Sequence, residues 1–377
     1  MLIASNHVGE ISMQTIDEIE KEIISHLEAK TMTEDIENWY NCLDLIDRSM
    51  YVPLQYKPDF LRYQEEYFKG VYSDYQDISM VLYRGGRPAG IWPICVYTKE
   101  DQLHFGTAGT ALMRPLFPIL PKAEAQRALI EKCLKMLFLI LDENGGGNLY
   151  CKETILDQGG SQWIRKLMEH GAKEQDSKWQ AFVDLNLSHE EIQSKIRRTN
   201  KYSIAKGQDI YDIEIYDETS DNLDEIFNEF HSMHRDVAGR ETRTQSTWDV
   251  QKMSVHNGSD KTGRSFLIFI RDKKTKALAG AALFDSTPQT GLYCVAAYDR
   301  SRFTKPVGHI VQAVAMEKMR SMGIRWYEVG ERAYPGNIGV DEKMVDIGHY
   351  KEGFATHFFP CVFVSLNSKA FNENILK

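Results

Sequence analysis

The stretch FLIFIRDKKTKALAG, residues 266–280, carries the pattern that decides the fold. Residues 266–270 form a run of apolar, β-branched and aromatic side chains, which is typical of a buried strand. A charged turn follows at 272–276, and residues 278–280 begin a strand that returns beside the first. A strand at 292–297, a helix at 309–322 and a strand at 326–329 come next, with Gly323 ending the helix. This order predicts a mixed sheet with a crossover helix.

The first half of the chain repeats this order. Residues 78–83 (ISMVLY) predict a strand, residues 85–86 (GG) a turn, and residues 89–97 a returning strand. A helical pattern at 123–141 ends at three glycines, and a strand follows at 148–152. In both halves an amphipathic helix precedes the block, near Trp39 and near Phe227. We interpret the repeat as an internal duplication, although such orders also recur by chance among α/β proteins.

The repeated order predicts the fold class: α/β, with two tandem domains that are each a mixed sheet flanked by helices. We place an N-terminal helical extension at 1–35, a first domain at 36–183 and a second domain at 184–377, which carries most of the motifs. Two such domains leave a cleft between them, a common place for a ligand. The extension has an apolar stripe at Ile16, Ile19, Ile23 and Leu27, and we expect it to pack against its own domain rather than dock a partner.

Composition excludes several classes of protein. The 377 residues include 45 Lys and Arg against 54 Asp and Glu, a net charge of −9, which argues against a general nucleic-acid binder. The longest apolar run, at 134–141, is far shorter than the roughly 20 residues of a membrane span. No secretion signal is recognisable, and the six cysteines have no zinc-like spacing. We expect a cytoplasmic protein with reduced, buried thiols, no membrane span and no metal site.

Several familiar catalytic motifs are missing from the sequence. It contains no Walker loop, GxGxxG fingerprint, GxSxG elbow or HExxH pair. His231 and His234 lie three residues apart on a predicted helix without an obvious third ligand, so we interpret them as hydrogen-bonded histidines. Nucleotide hydrolysis, dinucleotide redox chemistry and serine hydrolysis therefore lack support in the sequence.

A basic stretch, SKIRRTNKYSIAK at 194–206, is followed by an acidic stretch at 211–229. Its candidate substrate-binding residues are Arg197, Arg198 and Lys201. Clustered cations of this kind suit a phosphate or diphosphate, because guanidinium binds it through two hydrogen bonds. The alternative is a solvated helix face that pairs with the acidic stretch. Both interpretations stay open.

The unit at 292–322 places a loop between a strand and a helix. Tyr298 and Asp299 end the strand, and Gly308 and His309 open the helix. A helix N-terminus offers free amide donors and the positive end of its dipole, so we predict an anion site here. The candidate cofactor-binding residues are Arg302, Thr304, Lys305, Gly308 and His309.

The stretches YEVGER at 327–332 and GHYKEGF at 348–354 carry further candidates. Glu331 lies where a strand ends, and Tyr350 and Lys351 precede a glycine. Lys351 either packs its stem on neighbouring rings or presents its ammonium to a developing oxyanion.

The stretch GRETRTQSTW, residues 239–248, follows an amphipathic helix. Arg240, Arg243 and Trp248 either bind an anionic or sugar-like substrate or stabilise the loop through hydrogen bonds. The sequence does not separate these two interpretations.

Together these stretches resemble the FemAB-like branch of the GNAT acyltransferase superfamily. That branch includes the aminoacyl transferases of peptidoglycan cross-bridges and the acetyltransferases of surface-polysaccharide loci. KIRRTNKYSIAKG at 195–207 is similar to the family's basic helix. YEVGER followed by YKEGFA is similar to its final strand and Phe-Lys signature, with Tyr350 in place of phenylalanine. The resemblance is best over 180–365, and the hairpin MVLYRGGRPAGIWPI at 80–94 is similar in pattern. It implies two tandem GNAT-like domains with an active site in or near the cleft.

The resemblance also implies direct attack of a substrate amine on an activated acyl group. Lys351 would polarise the acyl carbonyl or steady the oxyanion, and Glu331, Asp299 or a water chain would deprotonate the ammonium. The catalytic candidates are Lys351, Glu331, Asp299 and Tyr298, and Tyr350 is a substrate-binding candidate. The sequence departs from the family in two places. The glycine loop Arg/Gln-x-x-Gly-x-Gly/Ala is not intact between Arg302 and His309, and residues 103–118 contain no acid that matches the aspartate base of some relatives.

We therefore expect an N-acyltransferase with no permanently bound cofactor. Its donor would be a thioester on coenzyme A, such as acetyl-CoA, or on an acyl carrier protein. Its acceptor would be an amino sugar, free or nucleotide-linked, or a similar small amine, and the resemblance implies a place in cell-surface polysaccharide biosynthesis. Two alternatives stay open: aminoacyl-tRNA-dependent transfer to a peptidoglycan precursor, and a non-catalytic binding protein. Nucleic acid is expected as a partner only as tRNA in the first alternative.

Overall fold

A computed structural model describes residues 14–120, 122–156, 162–303, 306–337 and 339–375. The first half of the chain contains α1 (Ile16–Leu27), β1 (Ala29–Thr31), α2 (Ile36–Asp44), α3 (Pro58–Phe68), β2 (Ser73–Asp77), β3 (Met80–Arg84), β4 (Arg87–Trp92), β5 (Cys95–Lys99), β6 (Gln102–Gly106), α4 (Ala123–Glu143), β7 (Asn148–Thr154), α5 (Gln162–Glu169) and β8 (Lys173–Asp184).

The second half contains α6 (His189–Lys195), α7 (Arg198–Ile210), β9 (Tyr211–Tyr216), α8 (Leu223–Ala238), α9 (Gln245–His256), β10 (Phe266–Asp272), β11 (Leu278–Ser286), β12 (Thr290–Tyr298), α10 (Gly308–Ser321), β13 (Trp326–Arg332), α11 (Glu342–Glu352), β14 (His357–Asn367) and α12 (Ser368–Ile375). The predicted mixed α/β class is confirmed, and both predicted hairpins form, β3 with β4 and β10 with β11.

The segment before residue 36 packs against the first half. Ile19, Ile23 and Leu27 on α1 are buried in a core shared with α4, and β1 pairs with β3. This agrees with the expectation that the helix packs against its own domain, since its apolar stripe needs a partner surface. The predicted domain boundaries at 35 and 183 stay predictions.

One eight-stranded sheet runs through both halves, in the order β7-β14-β8-β13-β12-β11-β10-β9. The halves exchange their last strands: β14 lies between β7 and β8, and β8 lies between β14 and β13. The units β7–α5–β8 and β13–α11–β14 have the same order and occupy equivalent places in this exchange. This symmetry agrees with the internal duplication, and it means that the sheet continues across residue 183.

Strands β12 and β13 are parallel neighbours only at their beginnings. Their pairing covers Thr290 with Trp326 through Leu292 with Glu328, and both strands then continue without pairing to each other. Beyond this point β12 pairs with β11 and β13 pairs with β8, so the sheet opens between them. The C-terminal ends of two diverging strands are therefore available to a ligand.

Helix α11 lies directly on the end of β13. It begins where the Asp341 carboxylate accepts a hydrogen bond from the Met344 amide at 2.7 Å, which caps the helix. A Cβ at Gly348 would lie 2.7 Å from the backbone nitrogen of Ala333, so only glycine allows this approach. The contact fixes the end of α11 that carries Lys351 beside the opening in the sheet.

A segment of the first half, residues 43–57, is bound to the second half by hydrogen bonds. The Gln289 side-chain amide donates to the carbonyls of Leu43 and Ile46, and the indole of Trp326 donates to the Ser49 carbonyl. We call this segment the strap. Because its partners lie at the beginnings of β12 and β13, the strap is placed next to the opening in the sheet.

Candidate active site

The Lys351 side chain lies along the backbone of Gly330. A Cβ added at Gly330 would lie 2.4 Å from Lys351 Nζ, and the glycine has a φ of 123°. The strand also shifts its register between Glu328 and Gly330, which is the signature of a bulge. Glycine is therefore needed here twice, for the backbone conformation and for the room that the lysine occupies.

The ammonium of Lys351 has no hydrogen bond or ion pair with the residues that the structure describes. Burial lowers the pKa of Lys351, and the nearby charges of Glu328 and Glu331 act against this shift. A half-buried ammonium without a fixed partner is free to donate to a ligand atom. Of the two interpretations of Lys351 that the sequence left open, the geometry favours the donor to an oxyanion.

Glu328 lies on β13, two residues before Gly330, close enough for its charge to act on Lys351. Its carboxylate accepts a hydrogen bond from the Tyr51 hydroxyl at 2.8 Å, and Tyr51 belongs to the strap. Burial raises the pKa of Glu328, against the effects of this hydrogen bond and of the Lys152 and Lys351 charges. A carboxylate with a raised pKa beside an ammonium with a lowered pKa is an arrangement typical of acid–base sites.

The two carboxylates predicted as bases lie in different surroundings. Glu331 is near Lys351, but it is half-exposed and forms an ion pair with Lys178 at 3.3 Å. Asp299 accepts hydrogen bonds from Ser301 and Arg302, and these lower its pKa to about 2. Such a carboxylate is a weak base, and its bonds are those of a loop-stabilising residue.

A cluster of tyrosines fills the other side of the opening in the sheet. The hydroxyls of Tyr293 and Tyr298 are 3.0 Å apart, and the Tyr350 hydroxyl lies 3.0 Å from the position that a Cβ at Gly308 would take. Burial raises the pKa of Tyr298 and of Tyr350 well above the usual value. These phenols stay protonated at neutral pH, so they can donate hydrogen bonds but cannot act as bases.

The beginning of α10 lies beside this cluster. Gly308 is its first residue, and the His309 ring meets the Tyr350 ring edge to face at 5.0 Å. The side chains of Tyr350 and Gln312 face each other, yet Tyr350 Oη and Gln312 Nε2 are buried without a well-aligned hydrogen bond to described residues. Two poorly satisfied polar groups next to a helix N-terminus fit a polar ligand.

The remaining predicted cofactor-binding residues precede this helix. Arg302 is exposed and pairs with Asp299, while Thr304 and Lys305 lie outside the described residues. Their predicted contacts with a cofactor stay predictions. Burial lowers the pKa of His309, so its imidazole is neutral at pH 7.

The basic stretch divides into two groups. Arg197 donates a hydrogen bond to His349 Nε2 at 2.9 Å and pairs with Glu352, so it holds the end of α11 rather than a ligand. Arg198 is exposed on α7, and Lys201 is half-exposed nearby. Neither of these two cations has a partner among the described residues.

The predicted group at 239–248 lies on the opposite face of the sheet from the tyrosine cluster. Trp248, on α9, is only 1% exposed and packs in a core with residues of α8 and of the sheet. Arg243 lies over its ring at 4.4 Å and donates to the Tyr63 hydroxyl at 3.0 Å. Arg240 is exposed, with a contact of 3.4 Å to the Glu241 carbonyl. The sequence left two interpretations of this stretch open, and the structure places Trp248 in the core between α8, α9 and the sheet.

Two further properties concern the described residues as a whole. None of the helices described is both long and apolar enough to cross a membrane. Nor do the described side chains include a group of three or more His, Cys, Asp or Glu placed to hold a metal ion.

The sequence matches no family model and no curated protein. Solved structures do match. FemX is similar with a TM-score of 0.58, over 83% of this chain and 96% of FemX, at 11% identity. L-PGS from Bacillus licheniformis has a TM-score of 0.52, over 94% of this chain and 93% of its own, at 9% identity. The C-terminal domain of a putative lysylphosphatidylglycerol synthetase from Agrobacterium fabrum has a TM-score of 0.54, over 91% of this chain and 95% of that domain, at 12% identity.

This chain has a FemAB-like GNAT fold. The resemblance inferred from its motifs is therefore confirmed at the level of the fold. Within this FemAB-like fold the two halves are not equivalent. At the matching end of α5 the chain reads Met168-Glu169-His170-Gly171, so Glu169 stands where the second half has Lys351. The first half therefore has no lysine at the position that matches Lys351.

Three polar residues of this site were missed in the sequence. They are Glu328, Tyr51 and Lys152. Strand alternation was the available signal for Glu328, because it lies two residues after Trp326 and shares its face. Tyr51 had no local signal, since its hydrogen-bond partner is 277 residues away in the chain.

Proposed function

We propose that this protein is an acyltransferase, and more specifically an N-acyltransferase. It would move an acyl group from a thioester to the amino group of an amino sugar or a similar small amine. The observation that carries the proposal is the unpaired ammonium of Lys351, which lies along Gly330 and faces Glu328 at the opening between β12 and β13. This supplies an oxyanion donor and a base within one opening of the sheet.

The reaction joins an amine nitrogen to the carbonyl carbon of the thioester. The oxyanion that forms would be stabilised by Lys351, because a preorganised donor in a dry site needs little reorganisation. Glu328 would accept the proton of the amine, helped by its raised pKa. The carbon–sulfur bond then breaks, and the proton passes to the leaving thiolate, so the products are an amide and a free thiol.

The thioester donor is assigned to the side of the opening that holds the tyrosine cluster. The beginning of α10 at Gly308 and the poorly satisfied groups of Tyr350 and Gln312 support this, since both favour a polar or anionic ligand. Coenzyme A and an acyl carrier protein present the same thioester chemistry. The donor would be a co-substrate rather than a resident cofactor.

The experiment that tests the proposal compares two lysines of α11. Acyl-CoAs of increasing length are supplied with D-glucosamine as acceptor, and the release of free thiol is measured. Lys351→Ala should lower kcat by about 10²–10³-fold, as expected for a lost oxyanion donor. It should leave the melting temperature nearly unchanged, since the ammonium has no ion pair with described residues.

Lys343→Ala is the matched control, because Lys343 is exposed on the same helix. It should keep wild-type turnover. Full activity in Lys351→Ala would remove the proposed role of Lys351. A wild-type protein that binds acyl-CoA without any turnover would favour a non-catalytic binding protein.

A second candidate function is transfer of an aminoacyl group from tRNA. It is favoured by the fold shared with FemX and with a putative lysylphosphatidylglycerol synthetase, and by the unpartnered cations Arg198 and Lys201. A melting-temperature series with bulk tRNA and acyl-CoAs at two salt concentrations separates the candidates. Stabilisation by tRNA that disappears in high salt supports this second function, because phosphate contacts release counterions. Stabilisation by acyl-CoA that survives salt supports the thioester donor.

A further inference from the structure

The end of α11 that carries Lys351 is bound by side chains of two other elements. Glu352, the residue after Lys351, is the centre of this contact. Its carboxylate accepts a hydrogen bond from Arg332 Nε at 2.8 Å and lies 3.6 Å from Arg197 Nη2. Arg332 ends β13, the strand that contains Gly330, and Arg197 is the N-cap residue of α7. One carboxylate therefore connects α11, β13 and α7.

Arg197 also binds the backbone at the end of α11. The last four carbonyls of an α-helix have no partner within the helix. Arg197 Nη1 donates a hydrogen bond to one of them, the His349 carbonyl, at 3.2 Å, and the Arg197 amide donates to the Gly353 carbonyl at 2.9 Å. A cation at this end complements the negative end of the helix dipole. These contacts hold the last turn of α11 on the start of α7.

Gly353, the C-cap residue of α11, packs against a buried side chain of α7. Asn200 is only 4% exposed, and a Cβ added at Gly353 would overlap Asn200 Nδ2. A larger residue would push the helix end away from α7. Gly348 makes the same kind of close approach to the backbone of Ala333 after β13. The last turn of α11 is therefore fixed from two sides.

The position of the Lys351 ammonium depends on this helix end. The ammonium has no hydrogen bond or ion pair with the described residues, so no partner of its own holds it beside Gly330. Its position follows from the backbone of α11 and from the packing of its stem. A displacement of about 1 Å at a reacting group can lower turnover by about 10²-fold. The contacts that hold the end of α11 therefore bear directly on the proposed chemistry.

We propose that Glu352 is a positioning residue for acyl transfer. Through Arg332 and Arg197 it holds the last turn of α11 against β13 and α7, and this keeps the Lys351 ammonium along Gly330. Its role is indirect, because its carboxylate is bound by two guanidinium groups. This inference rests on the proposed acyltransferase function and adds to it the residue that places the oxyanion donor.

Steady-state kinetics test the proposal. Glu352→Gln keeps the shape of the side chain and removes its charge. It should lower kcat by about 10–10²-fold and leave KM for acyl-CoA within about twofold, because the lost effect acts on the reacting group and not on donor binding. Arg332→Met removes the partner of the same bond and should act alike, and the two effects should not add in the double variant. Arg332→Lys, which keeps the charge, should retain more turnover than Arg332→Met.

A second measurement needs no substrate. Lys351 is labelled with acetic anhydride over a series of pH values, and mass spectrometry gives the midpoint of labelling, which reports its pKa. Burial lowers this pKa in the wild type, so the midpoint should rise in Glu352→Gln as the released helix end exposes the ammonium to water. Glu328 and Glu331, the charges that act on Lys351, are unchanged in this variant. Loss of a negative charge would by itself lower the pKa, so a rise reports a change of position.

Glu342→Gln is the control, since Glu342 is exposed in the first turn of the same helix. It should match wild type in both measurements. Wild-type kcat in Glu352→Gln and Arg332→Met, or a labelling midpoint that does not rise, would overturn the proposal. If Glu352→Gln does not fold, Arg332→Met decides by the same two measurements. A raised midpoint in a protein that transfers no acyl group would refute the proposed function, while showing that Glu352 holds Lys351 in place.

Discussion

Replacing Lys57 with methionine would break a buried ion pair that joins the two halves of the chain. Lys57 is 1% exposed and Asp285 is 5% exposed, and the Lys57 ammonium donates to Asp285 Oδ1. The variant leaves the Asp285 charge buried; among the described residues its remaining donors are Ser265 Oγ and the Ser286 amide, both at 2.7 Å. Removing one partner of a buried pair costs about 3–5 kcal/mol. That is a large part of the roughly 5–15 kcal/mol that stabilises a typical protein.

Equilibrium unfolding in urea measures this cost. With an m-value of about 3 kcal/mol/M, the midpoint should fall by roughly 1–2 M. Lys69→Met is the control, because Lys69 pairs with Glu65 and Glu66 at the surface and should cost less than about 1 kcal/mol. The double variant Lys57→Met with Asp285→Leu should recover part of the loss, since it buries no lone charge. A loss below about 1 kcal/mol in Lys57→Met, or no recovery in the double variant, would refute the reasoning.

Three further predictions concern the opening between β12 and β13. Gly330→Ala should lower kcat by about 10²-fold or more, because the added Cβ would take the space that the Lys351 ammonium occupies. Steady-state kinetics and a melting curve of the same variant separate a loss of turnover from a loss of stability. The pH range over which kcat/KM is high should be narrower than for a Glu and a Lys with their ordinary pKa values. Activity rises with pH as Glu328, whose pKa is raised, loses its proton, and falls as Lys351, whose pKa is lowered, loses its own. Tyr51→Phe should move only the acid limb to higher pH, since it removes a hydrogen bond that lowers the pKa of Glu328; an unmoved limb would exclude Glu328 as the base.

The candidate site was predictable where the signal lay within one short stretch. Lys351 follows Tyr350 and precedes Glu352 and Gly353 in a motif with a family resemblance, and the structure places it at the opening in the sheet. For Trp248 the sequence left two interpretations open, and the tertiary structure places its side chain in a core. Arg197 was a candidate for binding a substrate, and the structure places its guanidinium against the end of α11.

Sequence alone established the mixed α/β class, the repeated hairpin–helix–strand order and the GNAT resemblance, because these depend on periodicity and on turn residues that act over a few positions. Tertiary structure decided that β14 pairs with β7 and that β8 pairs with β13, because the local sequence of a strand does not specify which distant strand it pairs with. It also decided the identity of the candidate base. Glu328 and Tyr51 become partners only when the strap of the first half packs against β13 of the second. The burial that raises the pKa of Glu328 likewise exists only in the folded chain.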